Sequence, residues 1–342
     1  MNKKQKKRVI LLGTSAFVLM VLALTLFLSL QRYNMTPTET FRVNITDEMS
    51  YSQLVDTLDC HQSIGNHAIF GTIAHLMKLP SRMHPGSYKI APNANMLATI
   101  RRFCIGGQDP IRITINKHRT IESFCTFIGN KLQFSADTLL AYLQSDSVCS
   151  RYGLSPATIF ALFPQNTYEF YWTITPTAFL NKMEQESDRF WESRQSQLES
   201  MKMTREQVLT IASIVEEETN CNDEKADIAS VYLNRLRIGM ALQADPTVKY
   251  AVGDFTIRRI RGEMLQYDSP YNTYRYAGLP PGPICIPSAA SIDAVLKNKK
   301  TEYLYFCAKE DFSGRHNFAA TIAEHQANAK RFHKALNTRN IK

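Results

Sequence analysis

The sequence predicts an α+β protein: a single N-terminal transmembrane helix, a small α+β module, and then a larger domain of mixed α/β type. Three observations predict it. An uncharged run of 22 residues, 9 to 30, follows the basic opening MNKKQKKR. Between residues 41 and 115, short period-2 stretches alternate with stretches of helical periodicity. From residue 116 the chain reads as mainly helical, with a loop-rich segment and one late strand-like run.

The run from 9 to 30 is long enough to cross a bilayer as a helix. A cleaved signal peptide has an apolar region of about 7–15 residues and a small-residue cleavage site. Here the run is longer and ends LSLQRYN, which favours an uncleaved anchor. Lys3, Lys4, Lys6, Lys7 and Arg8 form a cytoplasmic basic tail, residues 1 to 8, under the positive-inside rule. The expected location is therefore the bacterial inner (plasma) membrane, single-pass, with the C-terminal bulk extracytoplasmic. Net charge is +9, but five of those charges sit in the tail. The rest carries no basic stripe of the kind a nucleic-acid partner needs. Seven cysteines are scattered without CxxC spacing. Metal-ligand spacings, P-loops and dinucleotide fingerprints are missing too, so neither a metal nor a cofactor is expected.

Residues 31 to 40 read as a polar linker. FRVNIT alternates as a strand, SYSQLVDTLDC has helical spacing behind a Ser cap, and NHAIFGTIAHLMKL is a second amphipathic helix. HPGSYKIAP reads as turn then strand, NMLATIRRFCIGG as a helix closed by glycine, and PIRITINK as a strand. These make one module, residues 41 to 115. Residues 116 to 342 form the second domain. It contains TREQVLTIASIVEEETN, opened by Thr204 with Gln207 as a capping box, and EKADIASVYLNRLRIGM, closed by Gly239.

The acidic triplet Glu216–Glu217–Glu218 ends an apolar helix. On a helical wheel Val208, Ile211, Ala212, Val215 and Thr219 share one side. Glu217 falls opposite them, where solvent is expected. Glu216 and Glu218 flank the stripe, where a helix meets a cleft wall. A half-desolvated carboxyl holds its proton near neutrality, which suits a general acid. Periodicity alone does not choose between Glu216 and Glu218. By themselves Gln243, Asp245 and Thr247 read as loop and helix-cap residues, and Tyr271, Asn272, Thr273 and Tyr274 as turn and packing residues. His316 and Asn317 are candidates for substrate contact, although a lone histidine is more often structural, and Arg235 and Arg237 suit pairing with the acidic triplet, contact with peptide carboxylates or, equally, ordinary helix-surface salt bridges.

ASIVEEET, ASVYLNRLRIGMALQADPTVKYAVG, SPYNTYRYAGLPPGPI, YLYF and GRHNFAATIAEH follow one another in a fixed order. This series resembles the YceG-like endolytic murein transglycosylases. HPGSYKI and IRRFCIGG are similar to that family's LysM-like module, and FPQNTYEF to its FPDTY segment. The resemblance implies that the acid is the second glutamate of an E-x-E-T pattern, Glu218, with Glu216 as its neighbour. It also moves Glu216, Gln243, Asp245, Thr247, Tyr271, Asn272, Thr273 and Tyr274 toward substrate contact, and makes GLPPGPI a rigid loop shaping the cleft. The implied reaction cuts the MurNAc–GlcNAc β-1,4 bond within glycan strands. One glutamic acid protonates the leaving oxygen, and its carboxylate then deprotonates the C6 hydroxyl, which closes on C1 as a 1,6-anhydro end. No second carboxylate is required, unlike in ordinary glycosidases. Implied partners are peptidoglycan glycan strands and cell-wall synthases in the membrane. The sequence departs from the family at Glu217, where lysine is usual, and at Ile286–Pro287–Ser288, where the family commonly has NPG. Two rival readings stand beside this one: a non-catalytic glycan-binding scaffold, and a hydrolytic muramidase with Asp245 as the second carboxylate.

Overall fold

Strand β1 (Phe41–Ile45) pairs antiparallel with β2 (Gly86–Ile90), with Val43 opposite Tyr88. The alternation read from FRVNI is real: Val43 and Ile45 are buried and Arg42 and Asn44 face outward. The computed structural model describes residues 12, 14–21, 25, 32–257 and 259–339. The basic tail, 1 to 8, and much of the stretch read as a membrane span lie outside the described residues. Residues 14–21 are helical. Among the described residues no helix is long and apolar enough to cross a membrane.

The chain divides into two compact units. One takes the described residues up to Ile111, with Glu169–Thr173. Around the β1–β2 pair it carries α1 (Tyr51–Cys60), α2 (His67–Leu76), the short α3 (Leu79–Arg82) and α4 (Met96–Ile105). Leu54, Leu58, Phe70, Ile73, Ile100 and Phe103 meet Val43, Ile45, Tyr88 and Ile90 in one core. Ser50 caps α1 in a full capping box with Gln53, and Gly106 closes α4 at φ 75°, the left-handed conformation glycine adopts without steric cost.

The other unit takes Arg112–Tyr168 and the described residues from Ile174 onward. The strand β3 (Ile111–Ile115) does not extend the β1–β2 pair; it pairs with β4 (Asn166–Phe170), inside the stretch FPQNTYEF. Period-2 patterning identifies a strand but not its partner. The helices are α5 (Ile121–Gly129), α6 (Ala136–Leu143), α7 (Asp146–Cys149), α8 (Pro176–Glu192), α9 (Gln195–Met201), α10 (Arg205–Glu218), α11 (Lys225–Arg237), α12 (Asp245–Val252), α13 (Gly262–Leu265), α14 (Ala289–Leu296) and α15 (Ile322–Thr338). The β5 (Tyr305–Ala308) and β6 (His316–Ala319) strands form an antiparallel pair under α15.

Helix α10 organises this unit. The predicted capping box is present: Thr204 Oγ1 accepts from the Gln207 N–H, and Gln207 Oε1 from the Thr204 N–H. All eight residues from Val208 to Val215 are buried, so α10 is a central helix packed on every side, with α11 and α14 among its neighbours. Its small hydroxyls tolerate burial by bonding back to the helix: Thr210 Oγ1 donates to the Glu206 carbonyl at 2.7 Å and Ser213 Oγ to that of Thr210 at 2.7 Å. The GLPPGPI loop docks on this helix, the Ile284 N–H donating to Ser213 Oγ at 3.0 Å. Only glycine fits at 282, where a Cβ would stand 1.9 Å from the Ala157 carbonyl oxygen. All seven cysteines are unpaired.

Candidate active site

The last turn of α10 sends its three glutamates to three different places, each fixed by a different partner. Glu217 does not face solvent as the wheel suggests. Arg119 grips its carboxylate as a fork, Nε at 3.0 Å from both oxygens and Nη2 at 2.8 Å from Oε2, and Lys117 Nζ lies 3.2 Å from Oε1. The wheel assumed a helix with one wet side; α10 has none, so a charge opposite the apolar stripe meets protein and needs cations.

Glu216 points into the packing of α10 against α14. Its Oε2 accepts from Ser288 Oγ at 2.6 Å, Ser291 Oγ at 2.5 Å and Lys225 Nζ at 3.0 Å. Burial works to raise its pKa; the two hydroxyls and the Lys225 ammonium outweigh that and hold it below the ordinary value. Ser288, at the position where NPG is usual in the resembled family, caps α14 as well. Glu216 is thus an ionised structural carboxylate and does not line the pocket that holds Glu218.

Glu218 opens into a cavity of about 220 Å³. The walls come from α10 (Glu218), α11 (Tyr232, Arg235), the following turn and α12 (Leu242, Gln243, Asp245), the loop at Tyr274, and β5 (Phe306). The Tyr232 hydroxyl donates to Glu218 Oε1 at 2.5 Å. Burial pushes the Glu218 carboxyl up, the Tyr232 hydroxyl pulls it down, and the charge of Asp245 adds to the rise; the outcome is a pKa of about 7. Two carboxyls two residues apart on one helix are therefore driven in opposite directions, Glu216 by its donors and Glu218 by burial. Concavities of about 660 and 650 Å³ lie elsewhere. The first is lined by Lys202, Arg237 and Lys300 with neutral polar and apolar side chains and no carboxyl, and the second is a polar surface where Asp188 is paired to Arg205.

The residues suggested for substrate contact divide cleanly. Gln243, Asp245 and Tyr274 line the Glu218 cavity. Asp245 is not a helix cap; its Oδ1 accepts from the Tyr274 hydroxyl at 2.6 Å. Gln243 sits at φ 48°, a left-handed conformation that costs a non-glycine residue about 1–2 kcal/mol. Its N–H is held by the Thr273 carbonyl at 3.1 Å. Thr247, Asn272 and Thr273 are 0%, 0% and 1% exposed and do not line that cavity. Instead Thr273 Oγ1 accepts from the Ala244 N–H and lies 2.8 Å from Thr247 Oγ1, fastening the 242–247 turn. Asn272 Nδ2 donates to the carbonyls of Leu265 and Tyr267. Tyr271 packs on Tyr250, ring centroids 4.7 Å apart.

Sequence reasoning did not single out Tyr232 or Phe306, and it left Arg235 open. The Arg235 side chain does not pair with the acidic triplet. It donates to the carbonyls of Leu304 and Leu242, each at 2.7 Å, and so ties the strand segment to the pocket turn. The available signal was the i, i+3 spacing of Tyr232 and Arg235, two polar side chains on one face of an otherwise buried helix. His316 bonds Glu224, and Asn317 bonds Glu310.

This architecture has relatives. An endolytic murein transglycosylase of Bacillus subtilis is 29% identical over 315 residues, covering 87% of this chain and 86% of that protein. One of Streptococcus pneumoniae is 25% identical over 317 residues, covering 84% of this chain and 57% of the longer relative. The crystal structure of a YceG-like protein of Listeria monocytogenes matches with a TM-score of 0.56 and 28% identity, over 84% of this chain and 99% of that one. The YceG-like family pattern itself runs through residues 43–331, and the chain belongs to the YceG-like family.

Proposed function

We propose that this protein is an endolytic peptidoglycan transglycosylase that cuts MurNAc–GlcNAc β-1,4 bonds within glycan strands and leaves 1,6-anhydroMurNAc ends. The observation that carries the reading is the Glu218 carboxyl, held near pKa 7 in a polar cavity beneath Tyr232. Such a group is half protonated at neutral pH, so one residue serves first as acid and then, ionised, as base. Protonated, Glu218 donates to the glycosidic oxygen as the C1–O bond breaks. Its carboxylate then takes the proton of the C6 hydroxyl, whose oxygen bonds to C1. The Tyr232 hydroxyl stabilises the carboxylate between these steps. Gln243, Asp245 and Tyr274 supply polar contacts for the sugar. Residues 9 to 30 anchor the chain in the plasma membrane with the cavity outside, where cutting near synthases ends strand growth. The unit containing the LysM-like segments engages the strand.

Asp245 in the same cavity favours one second reading, hydrolysis by two carboxyls. Digestion of purified sacculi by wild type and Glu218→Gln, read by mass spectrometry, decides. Anhydro ends from the wild type and none from the variant are expected. Reducing MurNAc ends assign hydrolysis, and undiminished anhydro product from Glu218→Gln removes Glu218 from the chemistry.

A further inference from the structure

We propose that Glu224 is a positioning residue: its buried carboxylate locks the C-terminal end of α10 to strand β6 and so fixes both sides of the Glu218 cavity. The proposal rests on the reading of Glu218 as the acid. Glu224 directly precedes α11 and is 5% exposed. Oε1 accepts from Thr219 Oγ1 at 2.7 Å and lies 2.8 Å from His316 Nδ1, while Oε2 accepts from the His316 N–H at 3.1 Å. An ionised carboxylate only accepts, so Nδ1 carries the hydrogen. The neighbouring cations bond elsewhere: Lys225 to Glu216 and Arg315 to Asp223.

The tie falls where α10 is weakest. Thr219 follows Glu218 and caps the helix, and its own N–H reaches the Val215 carbonyl at 3.4 Å, long for a backbone hydrogen bond. On the other side, the His316 ring stands edge-on to Phe306 at 5.3 Å, and Phe306 edge-on to Tyr232 at 6.0 Å. Both of those aromatics line the cavity. One carboxylate therefore holds the turn that bears Glu218 and the wall that faces it. A buried carboxylate is a poor way to gain stability, since apolar packing does as well or better; holding two elements in register is what it does well.

The test uses the full-length chain on purified sacculi, with Glu224→Gln, Thr219→Val and the double variant. Glutamine still accepts from Thr219 but cannot accept from both donors of His316. In Glu224→Gln and in Thr219→Val, kcat is expected to fall about 10–100-fold with KM within about threefold, the effect of a small misplacement. The high-pH limb of the rate profile should also move to lower pH, as water reaches Glu218. The double variant should lose less than the product of the single losses. Asp293→Asn, at a surface pair with Arg194, should change neither rate nor limb. A folded Glu224→Gln with kcat within about twofold of wild type and an unmoved limb overturns the proposal. Should that variant not fold, Thr219→Val decides by the same two readings. Full activity in Glu218→Gln defeats the acid assignment itself; loss there beside unchanged clamp variants defeats only the positioning role.

Discussion

Replacing Glu218 with glutamine keeps the size of the side chain and its acceptor for the Tyr232 hydroxyl, and removes the proton and the charge. A carboxyl with a pKa near 7 instead of 4.5 is half protonated at pH 7, where an ordinary one is protonated in roughly one molecule in 300. Two consequences follow from that one number. The wild-type rate on sacculi should fall about tenfold per pH unit above pH 7, and Glu218→Gln should lose about 10²–10⁴ in kcat. The second consequence is thermodynamic. Because the folded-state pKa is raised, the native protein binds the proton more tightly than the unfolded chain. The stability this gives is complete below pH 4.5 and is lost as pH rises through 7. The loss amounts to at most about 3 kcal/mol, less where water in the cavity screens the charge. Glu218→Gln carries no such charge, so it should match wild type at pH 4 and exceed it at pH 8, by several degrees in Tm. Calorimetry at the two pH values reads this directly. Equal stability at pH 8, or a high-pH limb near pH 5, would refute the claim that burial sets the chemistry of this carboxyl.

Tyr232→Phe removes a hydrogen bond that favours the ionised form of Glu218, so the high-pH limb should move upward; a limb that moves down contradicts the assignment. Glu217→Gln leaves Arg119 and Lys117 without their carboxylate and should cost about 1–3 kcal/mol in denaturant unfolding, with the cleavage products unchanged. Asn272→Ala should lower stability by about 1–3 kcal/mol because the buried Asn272 amide no longer ties the carbonyls of Leu265 and Tyr267, whereas Tyr274→Phe, at the cavity wall, should raise KM while leaving Tm nearly unchanged. Steady-state kinetics beside thermal melts separates the two.

Much of this fold is legible in the sequence because the signals are local. The Ser cap at Ser50, the capping box at Thr204, the glycine that closes α4 and the strand alternation in FRVNI each depend on residues a few positions apart. The pairing of β3 with β4 depends on residues more than fifty positions apart, and no local pattern encodes it. The wheel fails at Glu217 for a related reason. A wheel ranks the faces of one helix against water, and α10 has protein on all of them. Partners for its polar residues come from distant segments, Arg119 for Glu217 and Ser291 for Glu216, which one helix cannot reveal.

Within the motifs, spacing does not distinguish a residue that touches ligand from one that holds the turn. NTY at 272–274 places Asn272 and Thr273 inward, on carbonyls and the 242–247 turn, and Tyr274 outward on Asp245. Consecutive residues of one motif thus do opposite jobs, because a strained turn at Gln243 can present its side chain only if something buried holds its backbone. The same logic joins the three glutamates. Glu216 and Glu217 spend their charges on Lys225 and Arg119, which fixes the end of α10 against its neighbours. Glu218, two residues from one and adjacent to the other, has no cation bonded to it among the described residues and accepts from a tyrosine instead. A desolvated carboxyl costs stability, and its two ion-paired neighbours, together with the Glu224 tie at Thr219, fix the turn that carries it.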